Sequence, residues 1–322
     1  MKYANPFHLV VPAVLACVAP GALAQGDYPT RPVRMIVPSS PGGGTDILTR
    51  RLLPVFSKEL GQQVVVDNRP GAGSIIGNEL AARAAPDGYT LLMGISTLAI
   101  LPATRKQLPY DALKDLAPIT QAVAAPNIML VHPSLPVTTI KGLIEFARKR
   151  PGELNYGSAG PGTNPHLAMA LFLNMTGVNM VHIPYKGLGP ALVDLLSGQI
   201  VVASGTMLSS LRHVKSGRLR GLATTGAKRS TALPNLPTVD EAGVKGYVVT
   251  QWYGLFAPSG TPREIIDKLH RAMVATLRAE SAKFAADGVE TVGNSPEEFR
   301  KVLQAETAQW AKVVRAAGVK PR

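Results

Sequence analysis

The stretch VRMIVPSSPGGGTDILTRRL, residues 33–52, joins a mostly apolar run to a glycine-rich loop and then to a helical pattern. Val33–Val37 is typical of a buried strand. Apolar residues then recur on one face of a predicted helix over Ile47–Leu60, which Thr45 or Asp46 is placed to cap. The stretch therefore predicts a strand, a glycine loop and a helix whose first backbone N–H groups face that loop.

The same unit recurs along the chain. Val64–Asp67, the glycine-rich NRPGAGSIIG and a helix through Ala85 form a second copy, and PDGYTLLMG leads into a third strand. A second block begins near Ile119 and again alternates strands, such as NIMLVH and LNYGS, with helices. The segments TTIKGLIEFARKR and SPEEF place Thr or Ser before a helical pattern, which predicts capped starts. This order predicts an α/β fold with mainly parallel, doubly wound sheets.

Two segments carry the chain between the blocks, around residues 120–126 and 247–252. A chain that crosses twice between two lobes forms a hinge beside a cleft, as in a Venus flytrap. We predict that lobe 1 comprises residues 25–122 and 250–322, and that lobe 2 comprises residues 123–249.

Residues 1–24 are typical of an export signal. Lys2 is followed by the apolar FHLVVPAVLACVA, and Ala22-Leu23-Ala24 matches a cleavage site. We predict cleavage after Ala24 and a periplasmic location, with lipid attachment at Cys17 as the alternative. Because Cys17 is the only cysteine, cleavage would leave no thiol for a disulfide or a metal.

The chain is basic, with 34 Lys and Arg against 21 Asp and Glu, a formal charge of +13. The basic residues are scattered and are not interleaved with aromatic residues, so we expect no nucleic-acid partner. A solvated basic surface or weak steering of anions accounts for the charge. The histidines that follow the signal are dispersed, and we predict no metal site and no cofactor.

The glycine loops are the candidate ligand sites. PGGGTD lacks the lysine of a phosphate-binding loop, and Asp46 would repel phosphate. Free N–H groups at a helix N-terminus therefore favour a singly charged carboxylate, and a tight turn with an Asp cap is the alternative. GAGSIIG lacks the spacing and the acidic residue of a dinucleotide site, which leaves Ser74 at a second helix N-terminus.

YGSAGPGTNPH, residues 156–166, repeats this design in the second block. Its hydroxyls and amides precede a helix, and it does not match the nucleophile motif G-x-S-x-G. His166 lies one turn into that helix and either packs locally or contacts a ligand. Trp252 and Tyr253 on the second crossing segment either line the cleft or pack at the hinge. The sequence contains no recognisable set of nucleophile, base and orienting group for catalysis. An exported hydrolase of anionic esters remains the alternative function.

Six motifs taken together resemble the Bug family of extracytoplasmic receptors. They are PGGGTD, NRPGAGSIIG, PDGYTLL, LNYGSAGPGTNPHLA, HIPYKGLGPALVDLLSGQ and WYGLFAPSGTP. The resemblance runs from about Tyr28 to the C-terminal helices. It implies a periplasmic-binding-protein-like fold that closes on a small carboxylate, held by backbone amides, hydroxyls and ordered waters. It also implies delivery to the membrane permease subunits of a tripartite tricarboxylate transporter, although a signalling partner stays open. We expect a monomer.

Two positions depart from the family's usual pattern. Ser39-Ser40 stand where an aromatic-containing step is common, and Ile200–Ser204 replaces a more polar and bulkier run. Small walls at Ser39 and Ser204 would admit a larger or aromatic carboxylate, beside the di- or tricarboxylates and amino acids that the family implies. We predict no catalytic residue. The candidate ligand-binding residues are Ser39, Ser40, Pro41, Gly42, Gly43, Gly44, Thr45, Asp46, Ser74, Ser96, Ser158, Ala159, Gly160, Gly162, Thr163, His166, Tyr185, Lys186, Gly187, Ser204, Gly205 and Trp252.

Overall fold

The computed structural model describes Met1 and residues 28–316. The predicted cleavage site after Ala24 and the alternative lipid site at Cys17 lie outside these residues. In the part of the chain that is described, no helix is both long and apolar enough to cross a membrane.

The first lobe is built from three β–α units whose strands are parallel and lie in the order β2-β1-β3. The first and third strands of this lobe are almost wholly buried, because helices cover both faces of a parallel sheet, whereas the second strand lies at the edge and is largely half-buried. The elements are β1 (Val33–Val37), α1 (Gly44–Leu60), β2 (Val64–Asn68), α2 (Ile75–Ala82), β3 (Thr90–Ile95) and α3 (Thr97–Thr104).

The second lobe repeats this arrangement, with parallel strands in the order β7-β5-β6. A long strand, β4, enters it from the first lobe. The elements are β4 (Leu116–Val131), α4 (Ile140–Arg148), β5 (Asn155–Ser158), α5 (Asn164–Thr176), β6 (Val181–Pro184), α6 (Leu188–Leu196), β7 (Val202–Thr206), α7 (Met207–Lys215) and β8 (Arg220–Thr224).

The chain then returns to the first lobe through β9 (Thr250–Pro258) and ends with α8 (Arg263–Ala286), β10 (Glu290–Thr291) and α9 (Pro296–Ala316). Residues 116–126 of β4 pair antiparallel with β9, whereas residues 127–131 pair with β7 and β8. The two crossing strands therefore lie side by side where the lobes meet. The predicted residue limits of the two lobes remain a prediction. The change of pairing partner within β4 supports them.

Two details differ from the sequence expectations. Helix α1 begins at Gly44 behind Gly43, so Thr45 and Asp46 lie inside its first turn and neither is the N-cap residue. Helix α2 ends at Ala82, three residues before the predicted end at Ala85. The α/β fold with mainly parallel sheets is confirmed, and only β4, β9 and their partners add antiparallel pairs.

Candidate functional site

A cavity lies between the two lobes and opens to solvent. It is formed by the loops that follow the strands of both lobes, where ligands of open α/β sheets bind. Its lining residues are Pro38, Ser39, Gly43, Gly44, Thr45, Gly71, Ser74, Ile95, Ala159, Thr163, Pro165, Lys186, Gly187, Leu188, Thr206, Gln251 and Tyr253.

Five helices point their N-termini at this cavity. The N-cap residues of α1, α2, α5, α6 and α7 all line it, and none of these helices has a side-chain capping hydrogen bond. Their first-turn N–H groups carry the partial positive charge of each helix dipole. Because five such termini converge, the cavity favours a small anion. These N-cap residues are Gly43, Ser74, Thr163, Gly187 and Thr206.

Asp46 holds the first of these termini in place. Its carboxylate accepts hydrogen bonds from the Gly42 amide at 3.0 Å, from Asn68 Nδ2 at 3.0 Å and from Arg50 Nε at 2.9 Å. Asp46 is buried and does not line the cavity. Asp46 therefore supports the loop from behind the lining, and its direct contact with a ligand stays a prediction.

The floor of the cavity is formed by the crossing strand β9 and by Thr206. Burial raises the pKa of the Tyr253 phenol above its ordinary value, so its hydroxyl stays protonated. A Cβ on Gly44 would overlap Thr206 Oγ1 and come within 2.7 Å of the Tyr253 hydroxyl, so only glycine fits here. The start of α1 thus lies directly on this floor.

Ser96 and Trp252 lie outside the cavity lining. Ser96 Oγ donates to Gln251 Oε1 at 3.0 Å, so Ser96 supports a lining residue from behind. Trp252 Nε1 donates to Glu306 at 2.6 Å, and its ring packs edge-on against Phe299. Neighbouring side chains of a strand point to opposite faces, so Gln251 and Tyr253 reach the cavity and Trp252 packs at the hinge.

The loop before α5 is held by internal hydrogen bonds. Ser158 Oγ accepts from the Gly160 amide at 3.1 Å and lies 2.6 Å from His182 Nε2. His166 Nδ1 accepts from the Gly162 amide at 3.3 Å, and its ring lies 4.5 Å from that of His182. Ser158 and His166 therefore organise the loop and lie outside the cavity lining.

Other predicted residues also lie behind the lining. Tyr185 donates to Asp194 Oδ2 at 2.6 Å, and burial raises the pKa of its phenol to about 12. Gly205 faces Ser210 and Leu130 on the far side of β7, and Ser204 is fully buried. The predicted residues outside the lining are Ser40, Pro41, Gly42, Asp46, Ser96, Ser158, Gly160, Gly162, His166, Tyr185, Ser204, Gly205 and Trp252.

The lobes touch through glycines and backbone. Gly187 lies against Ser40, Gly189 lies against the Pro41 carbonyl, and a Cβ on Gly73 would come within 2.6 Å of the Pro161 oxygen. Side chains at these positions would hold the lobes apart. The predicted residues Ser40, Pro41 and Gly187 thus lie at points where the two lobes approach each other closely.

Several residues of the cavity lining are not among those predicted from the sequence. Thr206 stands directly before a helical pattern, which is a signal that could have identified it as an N-cap residue. Gln251 belongs to no recognisable sequence motif. For Tyr253, the sequence leaves open whether the ring lines the cleft or packs at the hinge. The lining residues that were not predicted are Pro38, Gly71, Ile95, Pro165, Leu188, Thr206, Gln251 and Tyr253. Within residues 28–316, no group of three or more His, Asp or Glu side chains is arranged to hold a metal ion.

Comparison with known proteins agrees with this geometry. Residues 48–319 match the family described as the tripartite tricarboxylate transporter family receptor. Protein BugT of Bordetella pertussis is 39% identical over 297 residues, which cover 91% of this chain and 91% of BugT. The structure of the periplasmic binding protein BugD has a TM-score of 0.89 at 35% identity and covers 92% of this chain and 100% of its own.

A second solved structure, R. palustris Rpa4515 with adipate, has a TM-score of 0.89 at 38% identity and covers 92% of this chain and 100% of its own. Both structures share the two-lobed fold over nearly the whole described chain. The resemblance to the Bug proteins is thereby confirmed. The chain belongs to the tripartite tricarboxylate transporter receptor family, and it is a solute-binding receptor.

Proposed function

We propose that this receptor is exported, with its signal removed after Ala24, and that it captures a small organic carboxylate in the cavity between its lobes. It then passes the ligand to the membrane permease subunits of a tripartite tricarboxylate transporter. The observation that carries the proposal is the convergence of five helix N-termini without side-chain caps on one cavity.

Carboxylate oxygens suit this cavity because they accept hydrogen bonds from several backbone amides at once, and such charge-assisted bonds are stronger than neutral ones. None of the described residues that line the cavity is an Asp or a Glu, so these walls do not repel an anion. The adipate in Rpa4515 supports the same class of ligand. Opening of the lobes at the paired strands β4 and β9 would release it.

We propose that the receptor binds its ligand without changing it and works as a monomer. Among the described residues, the close pair of Ser158 Oγ and His182 Nε2 resembles part of a hydrolase site. Ser158 is fully buried and lies outside the cavity lining, so a substrate in the cavity does not reach its hydroxyl. The hydrolase alternative therefore has no observation in its favour.

A thermal-shift screen of the purified mature chain tests the proposal. The panel contains aliphatic carboxylates, amino acids, aromatic acids and phosphate esters, and the protein is unfolded and refolded beforehand to remove any ligand carried through purification. A carboxylate at a hundredfold excess over its dissociation constant should stabilise the fold by about 2.7 kcal/mol. A shift with phosphate esters alone would contradict the proposal and return attention to the hydrolase alternative.

A further inference from the structure

A basic patch lies at the end of α7 that is remote from the cavity. Helix α7 follows Thr206, which lines the cavity, and runs for nine residues to Lys215. At a rise of about 1.5 Å per residue, its last turn lies about 13 Å from that lining. The patch consists of Arg212, Lys215 and Arg218, which are all exposed and stand three residues apart in the sequence. None of the three lines the cavity.

The charges of the patch are close to one another. Arg212 Nε donates to Nε2 of the buried His213 at 3.2 Å, and Lys215 follows Arg212 by one turn of the helix. Burial lowers the pKa of His213, and the nearby charges of Arg212 and Arg218 lower it further, so this ring stays neutral. The negative end of the α7 dipole offsets only about half a charge. This end of the helix therefore favours an anionic partner.

Within the described residues, no carboxylate neutralises the patch. Several exposed Lys and Arg elsewhere pair with Asp or Glu at 2.9–3.4 Å, whereas Arg212, Lys215 and Arg218 form no ion pair in residues 28–316. The sequence gives the reason. Between Asp194 and Asp240 there are six Lys and Arg and no Asp or Glu.

The loop beside the patch also lacks acidic residues. Arg220, at the start of β8, donates through Nη1 to the carbonyl oxygens of Leu135 and Val137 at 3.0 and 2.9 Å. Residues 132–139 are thereby held next to the segment that contains the patch, and none of them is Asp or Glu. The patch and this loop thus form a surface of one charge sign.

We propose that the patch binds the anionic phospholipid surface of a membrane. Such a surface presents many phosphates in no fixed arrangement, so exposed side chains of one charge are sufficient to bind it. Recognition of one particular anion would instead require buried polar groups, whereas the three side chains of the patch are exposed. The formal charge of +13 on the whole chain draws it toward the same surface.

The inference goes beyond the proposed function, because it concerns a face remote from the ligand cavity. Binding there leaves the cavity open to its ligand. A receptor held at the membrane surface meets a membrane permease more often than one that diffuses freely.

Cosedimentation of the purified mature chain with lipid vesicles tests the proposal. One set of vesicles contains equal parts of phosphatidylglycerol and phosphatidylcholine, and the other contains phosphatidylcholine alone, which should not bind the chain. Each basic residue near an anionic surface strengthens binding about fivefold. The combined variant Arg212→Gln, Lys215→Gln and Arg218→Gln should therefore bind the phosphatidylglycerol vesicles about a hundredfold more weakly at low salt. Sodium chloride at about 1 M should release the unchanged chain.

Lys149→Gln, Arg271→Gln and Arg278→Gln together form the matched control. They remove the same charge from exposed positions of α8 and from the end of α4. This control should lose less than about threefold of vesicle affinity. Arg212→Lys with Arg218→Lys keeps the charge of the patch and should stay within about twofold of the unchanged chain. Melting curves and carboxylate titrations of each variant check that the fold and the cavity are intact.

Equal losses for the patch variant and the matched control would overturn the proposal, because net charge alone would then explain the binding. It would also be overturned if the unchanged chain did not bind phosphatidylglycerol vesicles at low salt. Binding to a polyglutamate peptide in that case would assign the patch to an acidic protein segment. The vesicle measurements need no ligand in the cavity, so their outcome is separate from that of the proposed function.

Discussion

The helices of this receptor have two kinds of N-terminus. Away from the cavity, Thr139 Oγ1 caps α4 by accepting from the Gly142 amide at 3.0 Å. At the start of α9, Ser295 and Glu298 exchange side-chain and backbone hydrogen bonds at 2.9 and 3.2 Å. The five helices that face the cavity have no such cap, although Ser74, Thr163 and Thr206 have hydroxyls of the right kind.

This difference shows where the fold leaves donors for a ligand. A side-chain cap stabilises a helix by about 1 kcal/mol, so each of these five helices lacks a stabilising contribution of that size. Helix α8 also lacks a cap, but its first turn is exposed to solvent. Helix α3 lacks a cap as well, and its buried N-cap residue, Ser96, lies outside the cavity lining and donates to Gln251. The five uncapped termini of the cavity differ from that of α3 because they converge on one space. Their amides are therefore available to the oxygens of an anion.

The largest effect should come from closing the space between two facing termini. A Cβ at Gly189 would overlap the Pro41 carbonyl oxygen and lie 3.4 Å from the Gly43 nitrogen, all backbone atoms that cannot move aside. Gly189→Ala should hold the lobes apart and weaken carboxylate binding at least about a hundredfold. Isothermal titration with the best-bound acid measures the loss.

Gly142→Ala is the control for this substitution. Gly142 also lies in the first turn of a helix, but the atom nearest to its Cβ is the Thr139 hydroxyl at 3.2 Å, within the same lobe. Alanine raises helix propensity at both positions by up to about 1 kcal/mol, so a general effect of the substitution would appear in both proteins. Equal affinity of Gly189→Ala and the unchanged protein would contradict the role of Gly189 in closure.

At the hinge several buried polar side chains form hydrogen bonds with one another, although Asn127 Oδ1 has no partner among the described residues. Asn127 on β4 donates through Nδ2 to Asn164 Oδ1 at 2.7 Å, and Asn164 Nδ2 donates to the Thr250 carbonyl at 2.7 Å. Thr225 Oγ1 accepts from the Asn127 amide at 2.8 Å. The first residue of α5 is thereby tied to both crossing strands.

Asn164→Ala should give the next largest effect. It leaves the side-chain Nδ2 group of Asn127 buried without its partner and removes the hydrogen bond to the Thr250 carbonyl, which together cost about 2 kcal/mol of the free energy of unfolding. Chemical denaturation measures the loss. Asn174→Ala, at an exposed position of the same helix, should change stability by less than about 0.5 kcal/mol. A similar small change for Asn164→Ala would show that this network contributes little.

The strands, helices and glycine loops follow from local patterns, and these were predicted closely. Val33–Val37 is β1 as expected, and the capped starts at Thr139 and Ser295 are confirmed. These features depend on residues that are near one another in the sequence. Hydrophobic periodicity and capping residues are therefore sufficient to place them.

The direction of individual side chains could not be predicted in the same way. Trp252 and Tyr253 are adjacent, and periodicity alone does not show which face of β9 borders the cavity. That choice depends on Phe299 and Glu306 of α9, which occupy the other face. Ser158 likewise stands in a glycine loop, but the contact with His182 on the neighbouring strand turns its hydroxyl inward.

The smallest predicted effect concerns two glutamates of α9, whose pKa values are shifted in opposite directions. Burial raises the pKa of Glu306, despite hydrogen bonds from Trp252 and Trp310. The backbone N–H of Ser295 and its side chain lower the pKa of Glu298. A raised pKa means that the folded state favours the protonated acid, so this contribution is lost as the pH rises through the pKa of the folded state.

Glu306→Gln should therefore raise the free energy of unfolding by no more than about 1 kcal/mol near pH 8, and the gain should shrink toward about pH 4. Glu298→Gln carries the same chemical change at an exposed position of the same helix. The pKa of Glu298 is lowered, so its stabilising effect is present above the ordinary glutamate pKa and is lost as the pH falls. This variant should lower the melting temperature near neutral pH, and the difference should fade in acid. Melting curves of both variants across this pH range measure whether the two stability changes have opposite signs. A gain for Glu306→Gln that grows in acid would contradict the conclusion that the buried Glu306 carboxylate destabilises the folded state.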